Sequence, residues 1–141
     1  MTANIRLWVD DIRPAPEGWT LARTVTEAIR ILDENVVEEI SLDYDISLSV
    51  KVGLIHRPYP CGETFEPVAR FIRMMARRGM LLHTMNYGSA GPYKKKIKVT
   101  IHTASDEGRK NLLAILDDVK RHVYIVENPM PPCNRFEGEP K

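Results

Sequence analysis

The sequence has little cysteine, no long hydrophobic run and no obvious export signal. Its two cysteines, Cys61 and Cys133, lie far apart and lack the spacing of a metal site. Two isolated thiols are typical of a reducing compartment. No apolar run approaches the roughly 20 residues of a membrane span, and the N-terminus shows no signal-peptide pattern. These features predict a cytoplasmic protein that contacts no membrane, most simply a bacterial or phage cytosolic one.

The sequence also lacks an excess of charge of either sign. It has 20 basic and 19 acidic residues, which gives a net charge of +1. This balance argues against bulk binding of duplex nucleic acid, although a single nucleotide or an RNA end is still a possible ligand. With 141 residues, 43% hydrophobic and 28% charged, the chain has the composition of one globular domain.

What the sequence does contain is an alternation of strand-like and helix-like hydrophobic periods, which favours a parallel α/β sheet. Strands are predicted at 5–9, 19–24, 39–42, 97–101 and 122–126. Helices are predicted after Thr26, which could cap the first, over 63–78 and over 106–119. The pattern therefore predicts an open, flavodoxin-like sheet of about five mostly parallel strands flanked by helices.

Three stretches are less regular. Within residues 46–62, the stretch Ser47–Gly53 could be a strand or an ordered loop, and Arg57–Gly62 is predicted to be a loop because of its prolines. Residues 80–96 include a stretch, Leu81–Met85, that could pair as a strand. We expect residues 1–128 to form the domain and residues 129–141 to form a Pro-rich tail.

Acidic residues follow two predicted strands at the edge where parallel strands end. Asp10 and Asp11 follow the first strand, and Asp43 and Asp45 follow the third. Ligands of open α/β sheets lie outside the carboxyl ends of the strands, so these side chains are expected to converge. Carboxylates this close repel unless a cation lies between them, and oxygen ligands favour Mg²⁺ or Mn²⁺. We therefore predict a divalent-cation site, while any one aspartate alone would be explained as a turn residue.

Further polar residues are expected at the same edge. His102 follows the fourth strand and has a pKa range suited to a general acid or base, although a hydrogen-bonded structural histidine is an equal alternative. Thr103 and Ser105 lead into a helix whose free amides could bind phosphate. Arg13 could hold a phosphate bidentately, or be a solvated loop residue.

These residues resemble the pattern of a receiver domain, the fold of bacterial response regulators. The matching residues are Asp10 and Asp11, Asp43, and Thr103 or Ser105. A receiver usually has Lys-Pro after its fifth strand, whereas residues 124–129 read Tyr-Ile-Val-Glu-Asn-Pro. A Pro-rich loop also follows the acidic pair, where a receiver has its first helix.

A closer resemblance is to the cyclic-phosphate-processing receiver-like domains. Residues 7–14 read Leu-Trp-Val-Asp-Asp-Ile-Arg-Pro and residues 18–19 read Gly-Trp. Residues 40–45 read Ile-Ser-Leu-Asp-Tyr-Asp, and residues 101–105 read Ile-His-Thr-Ala-Ser, with Gly108 and Asn111 beyond. The resemblance covers about residues 5–126.

The resemblance implies a receiver-like fold and a metal-dependent phosphoesterase, a hydrolase that processes a cyclic phosphate. The substrate would be an RNA end, as in RNA repair, or a cyclic nucleotide, as in signalling. The implied catalytic residues are His102, Asp43 and Arg13, the phosphate-binding residues are Arg13, Thr103 and Ser105, and the Mg²⁺ or Mn²⁺ ligands are Asp10, Asp11, Asp43 and Asp45. The alternative is a non-catalytic module that is phosphorylated at Asp43, or that binds or sequesters a nucleotide.

Overall fold

The computed structural model describes residues 4–52, 55–80, 82–86 and 92–130, with side chains at 4–46, 63–80 and 96–130. In chain order the elements are β1 (Asn4–Val9), β2 (Thr20–Ala22), α1 (Val25–Glu34), β3 (Val36–Leu42), β4 (Asp45–Val52), β5 (Ile55–Thr64), α2 (Glu66–Arg77), β6 (Leu82–Asn86), β7 (Pro92–Ile101), α3 (Asp106–Leu116) and β8 (Val123–Glu127). A short 3-10 turn, Asp117–Val119, follows α3.

Five parallel strands form the main sheet, in the order β2-β1-β3-β7-β8. In this sheet, β3, β7 and β8 are each reached through a crossover. The three crossovers contain α1, α2 and α3 and all run in the same direction across the sheet. This arrangement confirms the predicted receiver/flavodoxin-like open sheet flanked by helices. Because such crossovers are right-handed, the three helices lie on one face.

The core lies between that face and the helices. The strands contribute a set of buried aliphatic residues at alternate positions: Leu7, Val9, Ile40, Leu42, Ile97, Val99 and Ile101. The helices contribute Ala28, Leu32, Val68, Ile72, Leu112 and Leu116. Removing each of the larger side chains from water stabilises the fold by roughly 1.5–3 kcal/mol.

No helix of the described ranges covers the opposite face of the sheet. This face is polar at the end away from the carboxyl ends of the strands. Cross-strand ion pairs join Arg6 to Glu38 at 3.2 Å and Lys98 to Glu39 at 3.9 Å. Near the carboxyl ends of the strands this face instead buries Trp8 and His102. The Pro-rich loop after β1 brings Trp19 onto Trp8 there, so a loop stands where a receiver has its first helix.

Two antiparallel hairpins extend the domain. The pairing of β4 with β5 begins with Asp45 opposite Thr64, at the edge of the sheet where β3 ends, and continues to Val52 opposite Ile55. β6 pairs with the first half of β7, at the other end of the sheet. The loop predicted at Arg57–Gly62 is therefore wrong, because this segment is part of β5. Its two prolines are two residues apart, so both direct their nitrogens to the outer edge of the hairpin, where a strand needs no N–H donor.

Two helix starts also differ from prediction. Thr24, and not Thr26, caps α1: its hydroxyl accepts from the Glu27 amide at 3.1 Å, and its own O–H donates to the Glu27 carboxylate. The Thr-x-x-Glu spacing of a capping box is visible in the sequence, but here the Glu27 carboxylate accepts from the Arg23 amide, at 3.3 Å, and not from that of Thr24. α2 begins at Glu66 because residues 63–64 complete β5. The strand considered at Leu81–Met85 is present as β6, and residues 131–141 of the predicted tail lie outside the described residues.

Candidate functional site

Backbone hydrogen bonds continue the sheet ladder one residue beyond the strand ends and so set the position of the site. Each residue that follows a strand donates its amide to the last carbonyl of the neighbouring strand. The pairs are Asp10 to Ala22 at 3.1 Å, Asp43 to Val9 at 2.9 Å and His102 to Leu42 at 3.0 Å. Side chains that were 33 and 59 residues apart in the chain are thereby brought to one rim of the sheet.

Three carboxylates meet at this rim. Each of Asp10, Asp11 and Asp43 offers an oxygen that lies within 4.8 Å of the oxygens of the other two. Asp10 and Asp43 are buried, and Asp11 is partly exposed. We call this set the acidic rim. The structure brings these three side chains together, as the sequence predicts.

Asp10 is the most constrained member of the acidic rim. Its Oδ1 accepts from the amides of Ile12 and Arg13, each at 2.9 Å, and its Oδ2 lies 3.0 Å from His102 Nε2. Burial acts to raise the pKa of Asp10, but the hydrogen bonds from His102 and the two amides outweigh it and hold the pKa below its ordinary value. Asp10 is therefore ionised at neutral pH.

Asp43 has the opposite balance. Its Oδ1 accepts from the Tyr44 amide at 2.7 Å, which is a single strong backbone contact. Burial, together with the negative charge of Asp10, raises the pKa of Asp43 to about 7. The acidic rim thus carries one firmly ionised carboxylate beside one that resists ionisation.

Arg13 lies between these two carboxylates. One terminal nitrogen, Nη1, is 3.2 Å from Asp10 Oδ2 and 3.5 Å from Asp43 Oδ2. The loop that carries it is held by Arg23, whose Nη1 donates to the Arg13 carbonyl at 2.9 Å. Arg13 therefore acts as an internal counter-ion, and a metal cation would have to share or take over its carboxylate contacts.

His102 is fully buried, and both of its ring nitrogens have partners. Nδ1 is 2.6 Å from the hydroxyl of Ser41, and Nε2 faces Asp10. The ring stacks on Trp8 with centroids 4.0 Å apart and planes 14° from parallel. Burial lowers the pKa of His102 despite the neighbouring Asp10, so the ring is neutral. Since a carboxylate only accepts, Nε2 carries the hydrogen and the Ser41 hydroxyl donates to Nδ1.

This arrangement bears on the predicted proton transfer by His102. Nε2 donates to Asp10 and Nδ1 accepts from Ser41, so neither nitrogen faces open solvent. In this geometry the ring orients Asp10, much as outer partners orient metal-binding side chains. Direct proton transfer from His102 to a substrate would require one of these partners to move.

Thr103 and Ser105 lie where they were predicted, but their oxygens serve local structure. Thr103 accepts from the Ser105 amide at 3.1 Å, and Ser105 caps α3 by accepting from the Gly108 amide at 2.9 Å. Each hydroxyl keeps a hydrogen to donate. The first turn of α3 carries Asp106 and Glu107, which oppose a phosphate at that helix end.

Asp45 lies outside the acidic rim. It is exposed and begins β4, where its Cα pairs with that of Thr64. Partial desolvation of the carboxyl group on folding, with the negative charge of Glu107, nevertheless raises the pKa of Asp45. The charge that affects the pKa of Asp45 thus comes from α3, and not from the acidic rim.

Sequence reasoning missed several residues that position the site. Ser41 and Arg23 were not identified as site residues. Gly108 and Asn111 were noted only as part of a resemblance. Asn111 donates to the Tyr44 hydroxyl at 2.9 Å, and a Cβ on Gly108 would lie 2.4 Å from the Tyr44 ring. Both residues therefore fix Tyr44, whose amide holds Asp43.

The donor set suits a hard divalent cation. Three carboxylates supply oxygen ligands of the kind that Mg²⁺ and Mn²⁺ prefer. In an octahedral shell with bonds of about 2.1 Å, ligand oxygens lie about 3–4.2 Å apart. The acidic rim, with its oxygens within 4.8 Å, needs only small side-chain rotations to reach that spacing. The cluster could therefore hold a metal.

A family model described as the cyclic-phosphate processing receiver domain matches residues 5–118, which include all three carboxylates, Arg13 and His102. The resemblance inferred from the motifs is thereby confirmed. No curated protein and no solved structure matches the chain. In the part of the chain that the structure describes, no helix is long and apolar enough to cross a bilayer.

Proposed function

The chain belongs to the cyclic-phosphate processing receiver domain family, and from this premise we propose that it hydrolyses a cyclic phosphodiester at the acidic rim with the help of a divalent cation. The observation that carries the proposal is the approach of Asp10, Asp11 and Asp43 to within 4.8 Å at the carboxyl ends of a parallel sheet. This is the position at which open α/β sheets bind their ligands.

The reaction is the opening of a phosphate ring by water. A P–O bond forms to the water oxygen, the P–O bond to one ribose oxygen breaks, and that oxygen takes up a proton. The product is a phosphomonoester. A divalent cation held by the three carboxylates would supply Lewis-acid stabilisation of the charge that develops on the phosphoryl oxygens.

The chain's own residues would divide the remaining work. Arg13 contacts two carboxylates of the acidic rim, so a phosphate that enters would meet its guanidinium as a bidentate partner. His102 and Ser41 hold Asp10 ionised and oriented. Asp43 would be a metal ligand. Because its pKa is raised to about 7, it would also be able to take up or release a proton near neutral pH. Thr103 and Ser105 each retain a hydroxyl hydrogen for the substrate.

A second candidate is a module that binds a nucleotide without turnover, or that is phosphorylated at Asp43. The engagement of both nitrogens of His102 favours this alternative, because it leaves no unoccupied general acid at the ring. Against a phosphorelay role, β8 ends in Glu127 and is followed by Asn128, where a receiver carries lysine. Glu127 is paired with Arg109 at 3.2 Å.

The test is a hydrolysis assay with a panel of substrates. The protein is incubated with Mg²⁺ or Mn²⁺ and with 2′,3′-cyclic nucleotides, 3′,5′-cyclic nucleotides and a short RNA that ends in a 2′,3′-cyclic phosphate. Phosphorus NMR resolves the ring from the monoester. We expect metal-dependent ring opening of at least one class, which EDTA abolishes and which Asp11→Asn or Asp43→Asn reduces at least about 100-fold.

The control is Asp33→Asn, which makes the same chemical change on the exposed side of α1 and should leave turnover unchanged. Two results would contradict the proposal. No hydrolysis of any substrate, with acetyl phosphate labelling Asp43, would identify a receiver-like module. Tight nucleotide binding without product would identify sequestration.

A further inference from the structure

The exposed side of α2 carries most of its charge as arginine. Four arginines and Met74 line a groove of about 270 Å³: Arg70, Arg73, Arg77 and Arg78. We call this the arginine groove. The whole chain has a net charge of only +1, so a groove lined by four guanidinium groups is a local concentration of positive charge.

The arginine groove is only partly neutralised by the protein itself. Arg70 lies 4.0 Å from Glu66, and Arg77 is paired with Asp118. Arg73 and Arg78 form no ion pair with any residue whose side chain the structure describes at 4–46, 63–80 or 96–130. Two guanidinium groups are therefore available to an anionic ligand.

A second groove adjoins the arginine groove at Arg70. It has a volume of about 310 Å³, and besides the apolar Val25, Ile46 and Pro67 its lining includes Thr64 and the acidic Glu63 and Glu66. Ile46 lies three residues after Asp43, on the strand that leaves the acidic rim. A ligand that continues past Arg70 would thus leave the guanidinium groups, cross a mixed apolar and acidic section, and reach β4 three residues from Asp43.

The length of this path fits a short single strand of nucleic acid. Arg70 and Arg78 are eight residues apart, which is about 12 Å along a helix at 1.5 Å per residue. In an extended single strand the phosphates lie farther apart than the roughly 3.4 Å rise of a duplex strand, so this length spans about two or three phosphates. The second groove, with a volume of about 310 Å³, adds room for about one further nucleotide, whose base would suit the apolar part of its lining.

We infer that the arginine groove binds the phosphodiester backbone of a single RNA strand, whose cyclic-phosphate end enters the acidic rim. The inference rests on the proposed function and narrows its substrate class from a cyclic mononucleotide to an RNA end. Guanidinium forks match phosphate geometry bidentately, and the same chain offers its second phosphate-directed arginine, Arg13, at the rim. An acidic protein segment would match the charge but would have no group to place against the carboxylates.

The test compares two double variants with equal loss of charge. Arg73→Gln with Arg78→Gln removes the two guanidinium groups that form no ion pair with the described side chains. Arg6→Gln with Lys98→Gln, on the sheet face away from the helices, is the control. Binding of a labelled octaribonucleotide with a 3′-hydroxyl end is measured by fluorescence anisotropy over a range of salt. No ring chemistry is involved, so this arm does not depend on hydrolysis.

We expect the groove variant to bind the octamer at least about 10-fold more weakly at low salt, and its salt slope to fall by about 1.4, since each phosphate contact on a single strand contributes about 0.7. The control variant should bind like wild type. With an octamer that ends in a cyclic phosphate, KM should rise at least about 10-fold in the groove variant with kcat unchanged. Turnover of a cyclic mononucleotide should not change.

Two outcomes would overturn the inference. One is equal octamer binding by wild type and the groove variant. The other is arginine-dependent binding of poly-glutamate in place of RNA, which would identify an acidic protein partner. If wild type hydrolyses no cyclic phosphate but binds RNA through Arg73 and Arg78, the proposed function fails while the RNA surface stands.

Discussion

Replacing Asp43 by asparagine tests whether the acidic rim is electrostatically strained before it meets a cation. Burial and the charge of Asp10 raise the pKa of Asp43 from 3.8 to about 7. In the unfolded chain this carboxyl titrates near ~3.9. Between about pH 4 and pH 7 the folded state therefore binds more protons, so the wild-type free energy of unfolding falls as pH rises through this window.

The size of the effect follows from the same shift. About three pKa units correspond to ~4 kcal/mol at ~1.4 kcal/mol per unit. Asparagine keeps an oxygen for the Tyr44 amide but loses the 3.5 Å ion pair with Arg13, which offsets part of the gain. We expect Asp43→Asn to match wild type near pH 4 and to exceed it by ~2–4 kcal/mol at pH 8.

The assay is thermal and urea unfolding in EDTA from pH 4 to pH 8.5. For a chain of 141 residues, the expected difference in unfolding free energy at pH 8 corresponds to a Tm of Asp43→Asn on the order of 10 °C above that of wild type. Asp33→Asn is the control and should stay within ~0.5 kcal/mol of wild type at every pH. Saturating Mg²⁺ should stabilise wild type, by ~2.7 kcal/mol at a hundredfold excess over Kd, and should affect Asp43→Asn much less.

Two results would refute this reasoning. The first is an Asp43→Asn protein that is less stable than wild type at pH 8 in EDTA. The second is a difference between the two proteins that does not change between pH 4 and pH 8. Either result would mean that the ionised carboxylate of Asp43 is not penalised by its surroundings.

Three further substitutions test the positioning of the site. Ser41→Ala should leave Nδ1 of His102 without its donor, destabilise the fold by ~1–3 kcal/mol and give a mixed imidazole tautomer in ¹⁵N NMR. Gly108→Ala should be destabilising by ~1–3 kcal/mol in urea unfolding, despite alanine's higher helix propensity, because the new Cβ meets the Tyr44 ring. Arg13→Gln should cost ~3 kcal/mol at pH 8 without metal, since two buried carboxylates lose their counter-ion, and Mg²⁺ should recover more stability than in wild type.

Each of these predictions has a contradicting result. A single unchanged tautomer in Ser41→Ala would mean that the hydroxyl does not orient the ring; Ser41→Thr should preserve the signal. A Gly108→Ala protein as stable as wild type would mean that the Tyr44 ring moves without cost. An Arg13→Gln protein that Mg²⁺ stabilises less than wild type would mean that Arg13 assists the cation and does not compete with it.

The convergence of the acidic residues was predictable because it depends on local pattern and one general rule. Asp10, Asp11 and Asp43 each follow a short buried strand, and the ends of parallel strands share an edge. The polar partners of these residues were less accessible. Ser41 and His102 are 61 residues apart, and nothing in either local sequence indicates that the two side chains meet.

The hairpin of β4 and β5 shows a different limit. Its prolines at positions 58 and 60 predict a loop when each is considered alone, because proline cannot donate to a ladder. Their spacing of two places both on an outer edge, which needs no donors, and the register that reveals this exists only once the strands pair. The start of α1, in contrast, was visible in the capping-box spacing of Thr24 and Glu27.

The stacking of Trp8 on His102 gives the protein an optical property that its sequence does not reveal. The chain has two tryptophans, Trp8 and Trp19, and they pack edge to face with centroids 5.8 Å apart. One indole lies on the imidazole that touches Asp10, and the other is carried by the loop that carries Arg13. All tryptophan emission therefore originates beside the acidic rim. A cation or phosphate that shifts this loop will change the fluorescence of the unlabelled protein, so binding can be titrated without a probe and without waiting for a substrate to turn over.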